Sequence, residues 1–243
     1  VGDAPAAQEE AAAAPDSAQL GALARYAVPF TNEGNKPLFS VILIDAGDDG
    51  MDRAALTTFS FPVSFAVDAS RPDADKAMRD YRAAGFEVIL LAGGLPQGAT
   101  PQDLEVSLNR YLSRMPETVA VMDQPDSALQ TDRPLLRQLM AIVKETGQGV
   151  VTYDGGLNTA QQVARSEGVP SGVVFRMLDA DRPSANTIER YLDRAAFKAG
   201  RDGHVVMVGH SYPETVKALF SWALQGKGQE VTMAPISAVL RGQ

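Results

Sequence analysis

Short apolar segments alternate with amphipathic helical patterns from residue 37 almost to the end of the sequence. Two of these segments, Val41-Ile-Leu-Ile44 and Val205-Val-Met-Val208, are apolar throughout, which is typical of parallel strands covered on both faces. The apolar segments predict strands over 38–45, 63–68, 87–91, 118–122, 150–154, 173–178 and 204–208, with a weaker strand near 230–233. The amphipathic patterns predict helices over 52–59, 72–84, 100–114, 132–146, 158–167, 185–199 and 213–225.

Seven or eight consecutive β–α units predict an α/β fold built around a parallel sheet. We expect a closed or nearly closed (β/α) barrel in a single domain, 37–243. An open, doubly wound sheet is the alternative, because hydrophobic periodicity does not report whether a sheet closes on itself.

Residues 1–36 differ from the rest in composition, since eleven of them are Ala and acidic residues stand among Pro5 and Pro15. Such a segment buries little apolar surface and predicts a tether or linker with a short helix over 17–26. The more apolar residues 26–30 are expected to dock on the domain that follows. The sequence begins with Val1, and we expect a signal or membrane anchor to precede it.

Charge and residue content exclude several classes of function. The 22 Lys and Arg residues are outnumbered by 30 Asp and Glu residues, which gives a net charge of −8 and makes nucleic acid an unexpected partner. The chain has no Cys, so it has no disulfide, no thiol nucleophile and no Cys-ligated zinc. Its two His residues are too few for chemistry that needs several imidazoles.

Polar side chains follow the predicted strands at the point where each strand ends. In a parallel barrel these carboxyl ends share one rim, and the loops after them carry the chemistry. The pattern predicts a polar cleft, although Asp is also favoured in such turns because it caps the helix that follows. The strand-end side chains are those of Asp45, Asp68, Asp123, Asp154, Asp179 and His210.

Four motifs in this order suggest a family: Val41-Ile-Leu-Ile-Asp45, Ala84-Gly-Phe-Glu-Val88, Gly156-Leu-Asn-Thr-Ala160 with Glu167-Gly-Val-Pro170, and Val208-Gly-His-Ser-Tyr-Pro213. With these motifs, residues 37–241 resemble the divergent polysaccharide deacetylases of the NodB-like superfamily. The resemblance implies an irregular (β/α)7–8 barrel, usually in an envelope protein of Gram-negative bacteria. The parent enzymes remove acetyl groups from N-acetylated sugars with a metal-bound water.

The family's metal site consists of one Asp and two His, beside a second Asp that acts as the base. The first motif reads Ile44-Asp45-Ala46 here, so the base position is kept and the metal-binding Asp is replaced by a methyl group. The two His positions fall at Leu91 and Gln124. The resemblance therefore implies a degenerate metal site and no metal cofactor, while the motif residues that remain are Asp45, Asp154 and His210.

These substitutions predict a domain that has lost metal-dependent hydrolysis and now binds a partner. The expected partners are peptidoglycan or another glycan, or a protein of the envelope or division machinery, and the expected location is the periplasm. The candidate cleft comprises Asp45, Asp123, Asp154 and His210. The alternatives are an active N-acetyl sugar deacetylase, which hydrolyses a carbon–nitrogen bond, a glycosidase using two rim carboxylates, and a Ca²⁺ or Mg²⁺ site formed by Asp45, Asp123 and Asp154.

Other features have simpler structural explanations. The segment Val208-Gly-His-Ser-Tyr-Pro213 imitates a serine nucleophile elbow, but its last position is Pro and no His follows Ser211. Trp222 belongs to a helical apolar pattern and is predicted to pack in the core. His204 stands at a strand start, where a structural role is expected, and residues 93–98 predict a rim loop rather than a phosphate loop.

Overall fold

The structure is a computed structural model that describes residues 20–94, 98–124, 129, 131–154, 159–224 and 226–242. Strands and helices alternate through the described residues, as the sequence predicts. The strands are β1 (Leu38–Ile44), β2 (Ser64–Asp68), β3 (Glu87–Ala92), β4 (Thr118–Asp123), β5 (Gly149–Tyr153), β6 (Ser171–Met177), β7 (His204–His210) and β8 (Thr232–Met233). None of the helices in the described ranges is both long and apolar enough to cross a membrane.

The helices lie between the strands, apart from one before the first strand and one after the last. They are α1 (Ala22–Arg25), α2 (Arg53–Leu56), α3 (Ala74–Ala83), α4 (Pro101–Arg114), α5 (Arg133–Thr146), α6 (Thr159–Glu167), α7 (Ala185–Asp202), α8 (Pro213–Ala223) and α9 (Ile236–Arg241). The helix predicted over 52–59 ends early, because the Thr57 and Thr58 hydroxyls donate to the carbonyl oxygens of Ala54 and Ala55 and so satisfy the last turn.

Seven parallel strands close into a barrel, which confirms the predicted fold class and excludes the open sheet. Neighbouring strands follow the order β2-β3-β4-β5-β6-β7-β1, and the barrel closes where β1 pairs with β2. That closing pair is short, since only Ile42–Ile44 of β1 bonds to β2. The first half of β1 pairs instead with β8, through Leu38 and Phe39, so the eighth strand fills the gap at the amino end. The barrel is irregular for this reason.

Two apolar layers stabilise the barrel, one between strands and helices and one inside it. The inner layer includes Ile42, Ile44, Ala66, Ile89, Val206 and Val208. Helix α9, which the sequence pattern did not predict, plugs the amino end of the barrel with Ile236, Val239 and Leu240. A Cβ atom at Gly149 would lie 2.6 Å from a Leu240 methyl carbon, so the plug requires glycine at that position. Trp222 packs on Phe39 in the outer layer, as predicted, with ring centroids 4.7 Å apart.

The described part of the N-terminal segment lies against the plugged end of the barrel. Leu23 is buried in the inner layer, and the backbone N–H of Val28 donates to the Glu87 carboxylate at 3.0 Å. The backbone N–H of Ser237 donates to the other oxygen of Glu87 at 2.9 Å. Burial raises the pKa of Glu87, and the hydrogen bonds from Ser237 and Val28 offset part of that rise. This buried carboxylate thus joins the N-terminal segment to α9.

Candidate functional site

The strand register brings the first and last motifs of the sequence together at the carboxyl end of the barrel. Ile44 pairs with His210 across β1 and β7, so Asp45, the next residue, lies at the same end as His210. The Ser211 side chain, fully buried, accepts a hydrogen bond from the backbone N–H of Ala46 at 3.0 Å. The two motifs therefore hold each other in place at the rim.

Asp45 is surrounded by donors. One carboxylate oxygen accepts from the backbone N–H of Gly47 at 2.8 Å and from the Arg71 guanidinium at 3.2 Å. The other accepts from Arg53 Nε at 2.7 Å and from the Tyr81 hydroxyl at 3.1 Å. An ionised carboxylate has about four acceptor positions, so these four donors fill them. The Asp45 side chain is only 3% exposed.

The two arginines also determine the protonation of this cluster. Burial alone would raise the pKa of Asp45, but the hydrogen bonds from Arg53 and Gly47 and the charges of both arginines hold it below its usual value. Burial, followed by the negative charge of Asp45, raises the pKa of Tyr81. Asp73 completes the network by accepting from Arg53 at 2.7 Å and from Arg71 at 3.2 Å. Asp45 is therefore a fixed anion.

Gly47 makes room for this network. Its φ is +60°, a conformation that glycine adopts without strain. A Cβ atom at this position would lie 2.9 Å from an Arg71 guanidinium nitrogen. The loop after β1 therefore needs glycine for two reasons, its backbone conformation and the close approach of Arg71.

The three positions implied for metal ligands lie around one cavity of about 380 Å³ at the rim. Ala46, Leu91 and Gln124 all line it, and Asp68 and Arg71 add polar groups. The Gln124 amide donates to an Asp68 carboxylate oxygen at 3.3 Å. A second cavity of about 830 Å³ adjoins the first, shares Asp45, Gly47, Asp48 and Arg71 with it, and extends between α2 and α3. Together they form a cleft, the rim cleft, whose walls are charged and polar.

These three side chains do not fit the metal that the fold family implies. A methyl group and an isobutyl group supply no donor atom, and the Gln124 amide is neutral and already bonded to Asp68. Within the described ranges, no three His, Asp or Glu side chains come together in a group that could hold a metal ion. The chemistry of the donor set is therefore wrong for a zinc-bound hydroxide.

His210 has its own carboxylate partner. Its Nδ1 lies 2.9 Å from an oxygen of Asp179, which is buried, while the other Asp179 oxygen accepts from the His210 backbone N–H at 2.7 Å. The Thr215 hydroxyl donates to that same oxygen at 2.6 Å. The sequence placed Asp179 at a strand end but gave no sign of this pairing. An imidazole held in this way has a fixed orientation, with Nε2 left for other contacts.

Two further side chains stack beside His210. The Tyr212 ring lies parallel to the imidazole with centroids 4.8 Å apart, and the Arg182 guanidinium carbon is 3.3 Å from the Tyr212 ring centre. Because His210 pairs with Asp179 and Ser211 is fully buried, the structure gives no support to a serine nucleophile.

The remaining candidates are separated from the rim cleft. Asp123 is buried at the end of β4 and accepts a hydrogen bond from the backbone N–H of Gln124 at 2.8 Å. Asp154 is exposed and lines a different cavity, on the outer side of β6, with Phe175 and Lys198. The structure therefore does not assemble Asp154 with Asp45 into a single ion site. Motif residues 155–158 and rim-loop residues 95–97 lie outside the described residues.

Solved structures with the same fold show what the chain is similar to. An uncharacterized protein from Agrobacterium tumefaciens C58 matches with a TM-score of 0.78 and 18% identity over 90% of this chain and 95% of its own. The catalytic domain of peptidoglycan N-acetylglucosamine deacetylase from Eubacterium rectale ATCC 33656 matches with a TM-score of 0.52 and 14% identity, over 86% and 92% of the two chains. The lactam utilization protein from Thermus thermophilus gives 0.53 and 16%, over 82% and 98%.

Identities this low show a shared fold and nothing finer. No curated protein sequence matches the chain. The sequence profile of the divergent polysaccharide deacetylases, however, matches residues 41–240, which includes all seven strands of the barrel apart from the start of β1. This chain belongs to the divergent polysaccharide deacetylase family.

Proposed function

We propose that this chain is a cell-envelope protein whose deacetylase-like domain binds a glycan without hydrolysing it. The observation that carries the proposal is the lining of the rim cleft. Ala46, Leu91 and Gln124 stand together where the family's metal ligands are expected, and none of them can hold a zinc ion. Without a metal there is no activated water to attack an acetamide.

The state of Asp45 supports the same proposal. A general base needs a free acceptor position near the proton that it removes. The four donors around Asp45 leave none, and its lowered pKa makes it a poor base. Asp45 is then a structural anion that holds the loops of the rim in place.

The size and polarity of the rim cleft suggest the ligand. Cavities of about 300–1,000 Å³ are typical of small-ligand sites, and the two adjoining cavities fall in that range. The Eubacterium rectale relative acts on the N-acetylglucosamine of peptidoglycan, so a peptidoglycan strand in the periplasm is the ligand that we favour. A protein of the envelope or division machinery is the alternative partner for the same cleft.

Binding and hydrolysis can be separated in one experiment. Purified protein is mixed with peptidoglycan sacculi and with N-acetylglucosamine oligomers, and bound protein, released acetate and zinc content are measured. We expect binding to sacculi, no acetate above background and no stoichiometric zinc. Ala46→Phe, which fills the cleft, should abolish binding, while Val106→Phe at an exposed position of α4 should not. Zinc-dependent acetate release, or binding that Ala46→Phe leaves unchanged, would overturn the proposal.

A metal-independent glycan hydrolase is the second candidate, and the His210–Asp179 pair is the observation that favours it. An imidazole held by a buried carboxylate can donate a proton to a leaving group. The same oligomers test it, since hydrolysis products that form in the presence of a chelator and disappear in His210→Ala would support this candidate over simple binding.

A further inference from the structure

Helix α7 exposes a positively charged face on an acidic protein. Arg190, Arg194, Phe197 and Arg201 are spaced by four, three and four residues, so they share one side of the helix. All four side chains are exposed, and Phe197 is 73% exposed. We call these four residues the α7 face. The chain as a whole carries a net charge of −8, so this face has the opposite sign.

The acidic residues of α7 do not neutralise this face. Asp193 is turned toward α8, where it accepts a hydrogen bond from the Trp222 indole at 2.9 Å. Asp202 pairs with both Lys198 and Arg201 and so balances only one of the two. Arg190 donates to the Thr187 hydroxyl, and in the described part of the chain Arg194 has no ion pair.

An exposed aromatic side chain continues the surface beside the α7 face. Phe175 on β6 is 41% exposed, and Lys198 lies 5.2 Å from its ring centre. Large apolar side chains exposed among cations are unusual on a protein that stays free in solution. Cations flanking a protruding aromatic ring are characteristic of helices that lie on anionic lipid headgroups, where the ring enters the acyl boundary.

We propose that the α7 face binds the surface of an anionic phospholipid membrane. A straight helix on the convex outside of a barrel presents its outermost side chains to a plane together, and residues 190 to 201 extend over roughly 16 Å at 1.5 Å per residue. At 0.1 M salt the screening length is about 10 Å, so these arginines act on the membrane while the acidic rest of the protein faces away. Bound in this way, the protein lies with α7 parallel to the membrane.

Vesicle flotation with the whole chain tests the proposal. The probes are vesicles of phosphatidylglycerol and phosphatidylcholine in equal parts, and vesicles of phosphatidylcholine alone, at 0.1 M salt. We expect flotation with the anionic vesicles only. Replacing three surface arginines in Arg190→Gln/Arg194→Gln/Arg201→Gln should weaken partitioning by about 100-fold. Phe197→Ser should weaken it about tenfold, because less apolar surface is buried.

A matched control removes the same charge elsewhere. Arg133, Arg137 and Lys144 form an exposed cationic row on α5 without an aromatic residue, and their triple Gln variant should float as the wild type does, within about twofold. Equal loss in both triple variants would show a diffuse charge effect and overturn the proposal. It would also be overturned if the wild type did not float, or if it bound poly-glutamate and not the vesicles, which would indicate an acidic protein as the partner. None of these outcomes depends on glycan binding in the rim cleft.

Discussion

Asp45→Asn tests whether the retained aspartate of the first motif is structural. The substitution keeps the size of the side chain and removes its charge. One amide oxygen can still accept from Gly47 and Arg71, but the amide NH₂ group then faces Arg53 Nε, so two donors oppose each other. Arg53 and Arg71 are left in the rim without their buried counter-charge.

The expected cost follows from the burial of the three charged groups. Removing one partner from a fully buried ion pair costs about 3–5 kcal/mol. Here the Asp45 side chain is 3% exposed, while those of Arg53 and Arg71 are 20% and 26% exposed, so water solvates part of the positive charge. We therefore expect a loss of about 2–3 kcal/mol, which for a chain of this size lowers Tm by about 4–12 °C.

The assay is thermal unfolding followed by the fluorescence of the single, buried Trp222. Because the pKa of Asp45 is lowered in the folded state, its stabilising effect is complete above the usual carboxyl pKa of about 4 and is lost as the pH falls below it. The difference between wild type and variant should thus be full at pH 7 and shrink below pH 4.

Asp75→Asn is the matched control, since Asp75 pairs with Arg79 at 3.0 Å on the exposed side of α3. We expect that variant to unfold at the wild-type temperature. If Asp45→Asn also unfolds at the wild-type temperature, the carboxylate is not a structural anion. Asp45 would then have to be reconsidered as a free base.

Three other predictions concern the barrel and the rim cleft. Leu240→Ala removes a buried side chain from the plug, and we expect a loss of about 2–5 kcal/mol in urea unfolding, with little change in exposed Leu224→Ala. Because the pKa of Glu87 is raised, the carboxylate favours folding below its usual pKa and loses that advantage as pH rises; the cost of Glu87→Gln in Tm should therefore be smaller at pH 8 than at pH 4, and an equal cost at both would contradict this. Ala46→Asp/Leu91→His/Gln124→His places one carboxylate and two imidazoles around one cavity, so this variant should bind one zinc ion by calorimetry where the wild type binds none; failure to bind would show that these positions do not converge.

The order of strands and helices could be predicted because the barrel strands are covered on both sides. A strand with helices outside and a packed interior leaves a continuous apolar segment in the sequence, and the predicted bounds of the seven main strands differ from the observed ones by at most two residues. The plug was missed for a related reason. The six residues of α9 are too few to show a helical period, and their burial depends on the barrel that they close.

The site was predictable in its position and not in its contacts. Parallel topology alone brings Asp45 and His210 to one rim. The donors that fill the acceptor positions of Asp45 come from residues 8, 26 and 36 positions further along the chain, on separate elements, and no local pattern signals them. Asp154 shows the converse case, because a position at a strand end does not determine which cavity the side chain lines.

The seam at β1 has a consequence for how the protein is made. Residues 38–44 pair with residues 204–210 and with β8, and the interior is completed only by α9. At about 5–20 residues per second, a ribosome needs roughly 10–40 s between making β1 and releasing residue 241. For that time the nascent chain carries apolar strand edges with no neighbour to bond to. Barrel closure is thus a post-translational step, and the half-made polypeptide is the form that chaperones must protect from aggregation and proteases.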